Sequence, residues 1–299
     1  MRLTDAVEDY LLLWILLSVG VGVALPRLSV ITRASTLILA VMIGSISLTL
    51  SVEQFRRIDV RTLGLVLAGH VTMPFVAFGV ARGLGLSAHL TVGFVILGAV
   101  TPELVTPVMT ELAGGDTALS TTALVAIGVG SAGFVPAVLS LLVGEIDVPT
   151  APIVEQLLVA VVAPILVAIG ARARFPDRVA RYDASYPAVS ALMVILVIGG
   201  VTAANATVIR SNASLLVDVG IGAVALNGVG YLSGYLLGYS APRPTRIASM
   251  LSVGMRDFAV AAALVVAAGL PPIASVPAVA FGVVEMVTSA GLARLLKRR

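Results

Sequence analysis

Apolar residues run through this chain in long blocks separated by short polar breaks. Ten blocks, at about 10–25, 34–50, 60–81, 89–113, 116–143, 152–171, 186–208, 213–239, 245–269 and 272–293, are wide enough for a helix of about 20 residues, the length that crosses a bilayer. The period-two alternation of barrel strands is absent. Backbone groups in lipid must pair within their own segment, so each block predicts a helix. The expected fold class is an all-α polytopic membrane protein of ten transmembrane helices.

Composition agrees. The chain is 59% hydrophobic and 12% charged, where a soluble domain carries about 25% charged residues. It has no cysteine, which excludes disulfides and thiolate metal sites. The opening "MRLTDAVEDY" carries Asp5, Glu8 and Asp9, unlike the positive start of a signal peptide, so the first block is expected to stay as a spanning helix.

Ten spans place both termini on one side. That side would hold Arg2, then Arg56, Arg57 and Arg61, then Arg172, Arg174, Arg178 and Arg181, then Arg243 and Arg246, then Arg294, Lys297, Arg298 and Arg299. The other side would hold only Arg27, Arg33, Arg82 and Arg210. Cations favour the cytoplasmic side, so both termini are expected there, in the plasma (cytoplasmic) membrane. The sequons at Asn205 and Asn212 fall in an external loop and read as plain polar loop.

The most polar stretch, "ARARFPDRVARYDASYP", divides the chain into five spans and five. An odd number per half inserts the halves with opposite orientation. This predicts inverted repeats at about 1–147 and 148–299, an arrangement common in secondary transporters. Blocks four and nine then correspond, and both are interrupted. Block four, "VILGAVTPELVTPVMTELAGG", has Pro102 and Pro107 flanking Glu103, and each proline disfavours helix before it. Block nine, "LSVGMRDFAVAAALVV", puts Gly254 beside Arg256 and Asp257. A charge at the bilayer centre costs about 2.5 kcal/mol or more. Matched interruptions are the best sequence pointer to a transporter's binding site.

The candidate substrate and coupling cavity is therefore Glu103, Thr106, Arg256, Asp257, Glu285 and His70, with helix breaks at Pro102, Pro107 and Gly254. Arg256 is expected to pair with Glu103 and Asp257, as structural glue, as part of transport, or as both. His70 reads as helix packing before proton carriage. Asp116, after Gly114 and Gly115, reads as a helix N-cap. Glu145, Asp147 and Glu155 read as loop and interface charges. "GVGSAG" at Gly128–Gly133 reads as close helix packing. Nucleophile elbows, phosphate loops, His-rich metal motifs and nucleic-acid signatures are missing, so neither an enzyme, nor a cofactor, nor a nucleic-acid partner is expected.

"TPELVTPVMTELAGGDTALSTTAL", "SVGMRDFAVAAAL", "VMIGSISLTLSVEQF" and "LNGVGYLSGY" together resemble, in order and spacing, the bile acid:sodium symporter family of the bile/arsenite transporter superfamily. The resemblance implies one transporter unit over 1–299 in which broken helices four and nine cross. Helices one, two, six and seven would form a panel domain, and three to five with eight to ten a core domain. It also implies sodium-coupled alternating access for small organic anions, with Glu285 near the substrate cavity. This chain departs from the family as a divergent member. The family's sodium-liganding Glu falls on Ser252, its following Gln and Asn fall on Arg256 and Asp257, and its Ser-Asn pair falls on Pro107 and Val108. Ser120 and Ser252 remain as residual cation ligands, but there is no firm metal site. Sodium wants a shell of hard oxygens, and Arg256 would repel it. Arsenite carriers of the superfamily rely on a Cys where Glu103 stands here, which argues against arsenite.

The leading expectation is a secondary active transporter of small organic anions. Half-helix N-termini at the crossing would favour an anionic group, and Arg256 would serve as a built-in cation where relatives hold sodium. A proton-coupled antiporter or exporter of the same fold is the alternative. A non-transporting membrane sensor or scaffold is the rival of another class.

Overall fold

The computed structural model describes residues 11–50, 59–144 and 148–297. Arg2, Asp5, Glu8, Asp9, Arg56, Arg57, Glu145, Asp147, Arg298 and Arg299, on which parts of the charge and loop reading rest, lie outside the described residues.

The described residues form helices and no strands. In chain order, α1 is Leu11–Ala24, a 3-10 turn spans Pro26–Ala34, and α2 is Ser35–Ser47. α3 is Val60–Gly83 and α4 is Ala88–Ala99. α5 is Thr106–Leu112 and α6 is Thr117–Leu142. α7, Thr150–Leu157, runs through a π-helical turn into α8, Ala163–Arg174. Short α9, Pro176–Ala180, precedes α10, Tyr186–Ala204. Short α11, Ala206–Ser211, precedes α12, Ala213–Leu237. α13 is Arg243–Gly254, α14 is Phe258–Ala267, and α15 is Val276–Lys297.

Among the described residues, eight helical stretches are long and apolar enough to cross a membrane, and Leu12–Ala24 and Ala88–Ala99 are shorter apolar helices. This is an integral membrane protein; eight of the ten apolar blocks hold such a stretch, and blocks one and four hold only the shorter helices.

Capping fixes several boundaries. Asp59 accepts hydrogen bonds from the Arg61 N–H at 3.1 Å and the Thr62 hydroxyl at 2.6 Å, which starts α3. Asp116 accepts from the Leu119 N–H at 3.0 Å and starts α6, the N-cap read from the sequence. Gly114 supplies the left-handed turn after α5 with φ +74°.

Packing builds the frame around the interruptions. α10 lies against α1 and α2, α3 against α4, and α12 against α13. Close approach needs small residues: a Cβ at Gly98 would sit 2.8 Å from the Pro74 Cα and 2.9 Å from the Met73 carbonyl oxygen. Leu166, Val167, Val217, Ile221 and Leu232 are exposed, as a lipid-facing surface requires. α14, by contrast, is buried along Phe258–Val265, packed against α4 and α15. The half-helix that follows Arg256 and Asp257 is thus among the most enclosed parts of the molecule.

Candidate functional site

Both interruptions are real gaps in helix. α4 ends at Ala99 and α5 begins at Thr106, so Val100–Val105 is non-helical around Pro102. Pro107 is the second residue of α5, a position where its missing N–H costs nothing, so it starts the helix. α13 ends at Gly254 and α14 begins at Phe258, leaving Met255–Asp257 outside helix. Gly254 is not a left-handed hinge: it closes α13 without positive φ. Its lack of a side chain makes room for the Tyr231 ring, whose atoms would lie 2.6 and 2.8 Å from an added Cβ.

The gaps meet. The Asp257 N–H donates to the Thr101 carbonyl at 2.9 Å. Other backbone groups in the gaps are met by side chains, as membrane depth demands. The Gly254 carbonyl accepts from Asn227 Nδ2 at 3.1 Å, and the Arg256 N–H donates to Glu285 Oε2 at 3.1 Å. The Thr106 hydroxyl caps the Glu103 carbonyl at 2.5 Å. The Asp257 carboxylate is the N-cap of α14, accepting from the Val260 N–H at 2.8 Å.

Arg256 is fully buried yet makes none of the expected ion pairs. Among the described residues the one ion pair within 4.0 Å is Arg172–Asp183, so neither Glu103 nor Asp257 reaches the guanidinium. Its partners are neutral. Nη2 donates to the Val253 carbonyl at 3.0 Å, Nη1 donates to the Val100 carbonyl at 3.3 Å, and Nη1 also meets His70 Nδ1. The physical reason for Asp257 is that its carboxylate is drawn to a backbone amide. Asp257 caps α14, and Glu103 faces the N–H groups of Leu104 and Phe258. The guanidinium takes the carbonyl ends that remain.

Glu103, Asp257 and Glu285 lie within electrostatic reach of one another, each with an oxygen lacking a protein partner: Glu103 Oε2, Asp257 Oδ2 and Glu285 Oε1. Arg256 Nε and His70 Nε2 are likewise unpartnered. His70 is thus drawn into the site as the acceptor for Arg256, with its ring 5.4 Å from that of Phe134. Ser120 and Ser252 also come together. Ser252 Oγ donates to Ser120 Oγ at 3.3 Å, and Thr110 Oγ1 donates to the same oxygen at 3.2 Å. No group of three His, Cys, Asp or Glu is placed to hold a metal ion among the described residues.

Three contributors were not singled out from sequence: Asn227, Tyr231 and Thr288. Thr288 Oγ1 donates to Asn227 Oδ1 at 2.8 Å and stands 3.4 Å from the Tyr231 hydroxyl. The available signal was spacing. Asn227 and Tyr231 share a face at i, i+4, as Glu285 and Thr288 do at i, i+3, and a lone Asn in an apolar helix needs a partner.

The profile of the sodium bile acid symporter family matches residues 36–212. This chain belongs to that family. A Bacillus subtilis (strain 168) protein described as the uncharacterized sodium-dependent transporter YocS is 29% identical over 289 residues, covering 94% of this chain and 88% of the relative. Membership of the sodium bile acid symporter family makes the chain a membrane transporter of the bile acid symporter type. The profile match ends before α13, so Arg256 and Asp257 lie beyond the matched residues.

Proposed function

We propose that the chain is a secondary active transporter of small organic anions, working by alternating access in the plasma membrane with both termini cytoplasmic. Ten spans in two inverted five-span repeats would form it, α1, α2, α7–α8 and α10 making a panel and the remaining spans a core. The observation that carries this reading is the Thr101–Asp257 contact, at which two interrupted helices in corresponding positions meet among buried polar groups. Glu103, Thr106, His70, Arg256, Asp257 and Glu285 would form the coupling centre. The family's name supports an organic anion as substrate. A cleft of about 250 Å³ lined by Thr36, Pro152, Glu155, Gln156, Val159 and Ala267 supports a path between panel and core, since it opens where α2 and α7 face the end of α14.

Counterflow in proteoliposomes tests the proposal. Unlabelled anion inside should accelerate entry of the same labelled anion across a panel of bile salts and short carboxylates. No acceleration with any of them would leave the non-transporting scaffold.

A second reading is proton-coupled exchange. It is favoured by the three partnerless carboxyl oxygens of Glu103, Asp257 and Glu285. An imposed pH gradient that drives anion accumulation without sodium would select it.

A further inference from the structure

The last carbonyls of a helix have no intrahelical partner and carry the negative end of its dipole. Two such ends face each other at the crossing: α4 closes just before Val100, and α13 closes just after Val253. In transporters with discontinuous helices, carbonyls of this kind coordinate the coupling cation. Here one guanidinium bridges them, Nη2 to Val253 at 3.0 Å and Nη1 to Val100 at 3.3 Å. We propose that Arg256 is a tethered cation filling the coupling-cation position, and that the crossing binds no sodium ion.

Three observations converge on this. The Arg256 guanidinium has no carboxylate oxygen within 4.0 Å, Glu285 reaching only the backbone N–H of this residue, so its charge is directed at the helix-end carbonyls. Arginine stays protonated, so the charge is permanent and would repel a second cation at short range. The hydroxyls that could still ligate an ion, Ser120, Ser252 and Thr110, are hydrogen-bonded to one another. The opposite helix ends are also met from within, by Asp257 on the Val260 N–H and Glu103 facing the Leu104 and Phe258 N–H groups. Backbone groups of both polarities at the crossing are therefore met by its own side chains, the Val100 and Val253 carbonyls by Arg256 and the Val260 N–H by Asp257, while Glu103 Oε2, Asp257 Oδ2 and Glu285 Oε1 keep no protein partner. This sets the chain apart from the sodium dependence in the description of its B. subtilis relative.

The proposal deepens the transport reading and rests on it only for one consequence, sodium-independent uptake. Its test needs no transported solute. Thermal unfolding of the purified full chain in detergent is measured in sodium chloride and in choline chloride at equal ionic strength. An ion that binds only the folded state raises Tm. The wild type should melt at one temperature in both salts, as should Arg256→Lys. Arg256→Gln should melt lower in choline and regain several degrees in sodium, because it reopens the carbonyl site. A wild type several degrees more stable in sodium, or a folded Arg256→Gln with no sodium gain, overturns the proposal. Should Arg256→Gln fail to fold, equilibrium binding of radiolabelled sodium to the wild type decides: no saturable binding supports the proposal, and saturable binding overturns it. A failed counterflow screen would remove the transport reading and leave this result standing.

Discussion

The Asp257 N–H donates to the Thr101 carbonyl across 2.9 Å, and this bond joins the two interruptions of the molecule. Irregular backbone at membrane depth is tolerated only where protein satisfies its polar groups. Each gap supplies part of what the other needs: Asp257 meets Thr101, and the Arg256 guanidinium meets Val100. The second gap is also held from α12 and α15, through Asn227 on the Gly254 carbonyl and Glu285 on the Arg256 N–H. Neither half-helix pair can shift far without carrying the other.

Asp257 adds a cap to this junction, and the cap can be separated from the charge. Asn is as good an N-cap as Asp, whereas Ala at such a position costs about 0.5–2 kcal/mol. Asp257→Asn keeps the acceptor for the Val260 N–H and should melt close to the wild type. Asp257→Ala should melt several degrees lower. Equal losses in both variants would mean that the carboxylate charge, not the cap, holds α14 in place.

Gly254 makes a packing prediction rather than a hinge prediction. An added Cβ would press on the Tyr231 ring, and the two helices are already close, since a Cβ on Gly230 would lie 2.8 Å from the Gly254 Cα. Overpacking of this kind costs about 1–3 kcal/mol. Gly254→Ala should be destabilised by that order in thermal unfolding. Gly254→Ala with Tyr231→Ala should lose less than the sum of the single changes, because removing the ring makes the space. Additive losses would show that Gly254 is needed for its backbone.

The helical fold was legible in the sequence because a bilayer sets the length and polarity of each segment, so helix positions follow from apolar blocks. Both interruptions were legible from Pro102 and from charge inside a spanning run. The partners of Arg256 were not. A sequence shows which side chains share a helix, but Val100 and Val253 act through carbonyls that every residue has, so nothing in their identity marks them. The expected pair with Asp257 failed for a related reason: its carboxylate is claimed by the Val260 backbone amide, which becomes free only once the helix breaks there. Gly254 read as a helix break because it stands beside intramembrane charge, while Tyr231, the neighbour that requires it, is 23 positions away in the chain.

The sidedness of the fold can be checked chemically, because the chain has no cysteine of its own. Arg178, in short α9, lies in the basic loop expected to be cytoplasmic, and Ser211, at the end of α11, lies in the loop expected outside; both are exposed. In intact cells an impermeant thiol reagent should label Ser211→Cys and leave Arg178→Cys unlabelled until the membrane is opened. The reverse pattern would invert the topology.

His70 carries the last prediction, which distinguishes an acceptor from a proton carrier. Arg256 Nη1 can only donate, so the His70 Nδ1 that meets it must accept, which assigns the imidazole proton to Nε2. An imidazolium would have no acceptor to offer, and the guanidinium would lose one of its partners. Leaving a buried charged donor unsatisfied costs about 1–3 kcal/mol or more. His70→Ala should therefore be clearly destabilised, and His70→Phe should not recover the loss although it refills the space beside Phe134. His70→Asn or His70→Gln, which can turn an amide oxygen toward Arg256, should recover much of it. Thermal unfolding of the four variants, repeated with Arg256→Gln as background, reads the coupling directly: without the guanidinium, the advantage of Asn and Gln over Phe should vanish. If the advantage persists in that background, His70 acts through some neighbour other than Arg256.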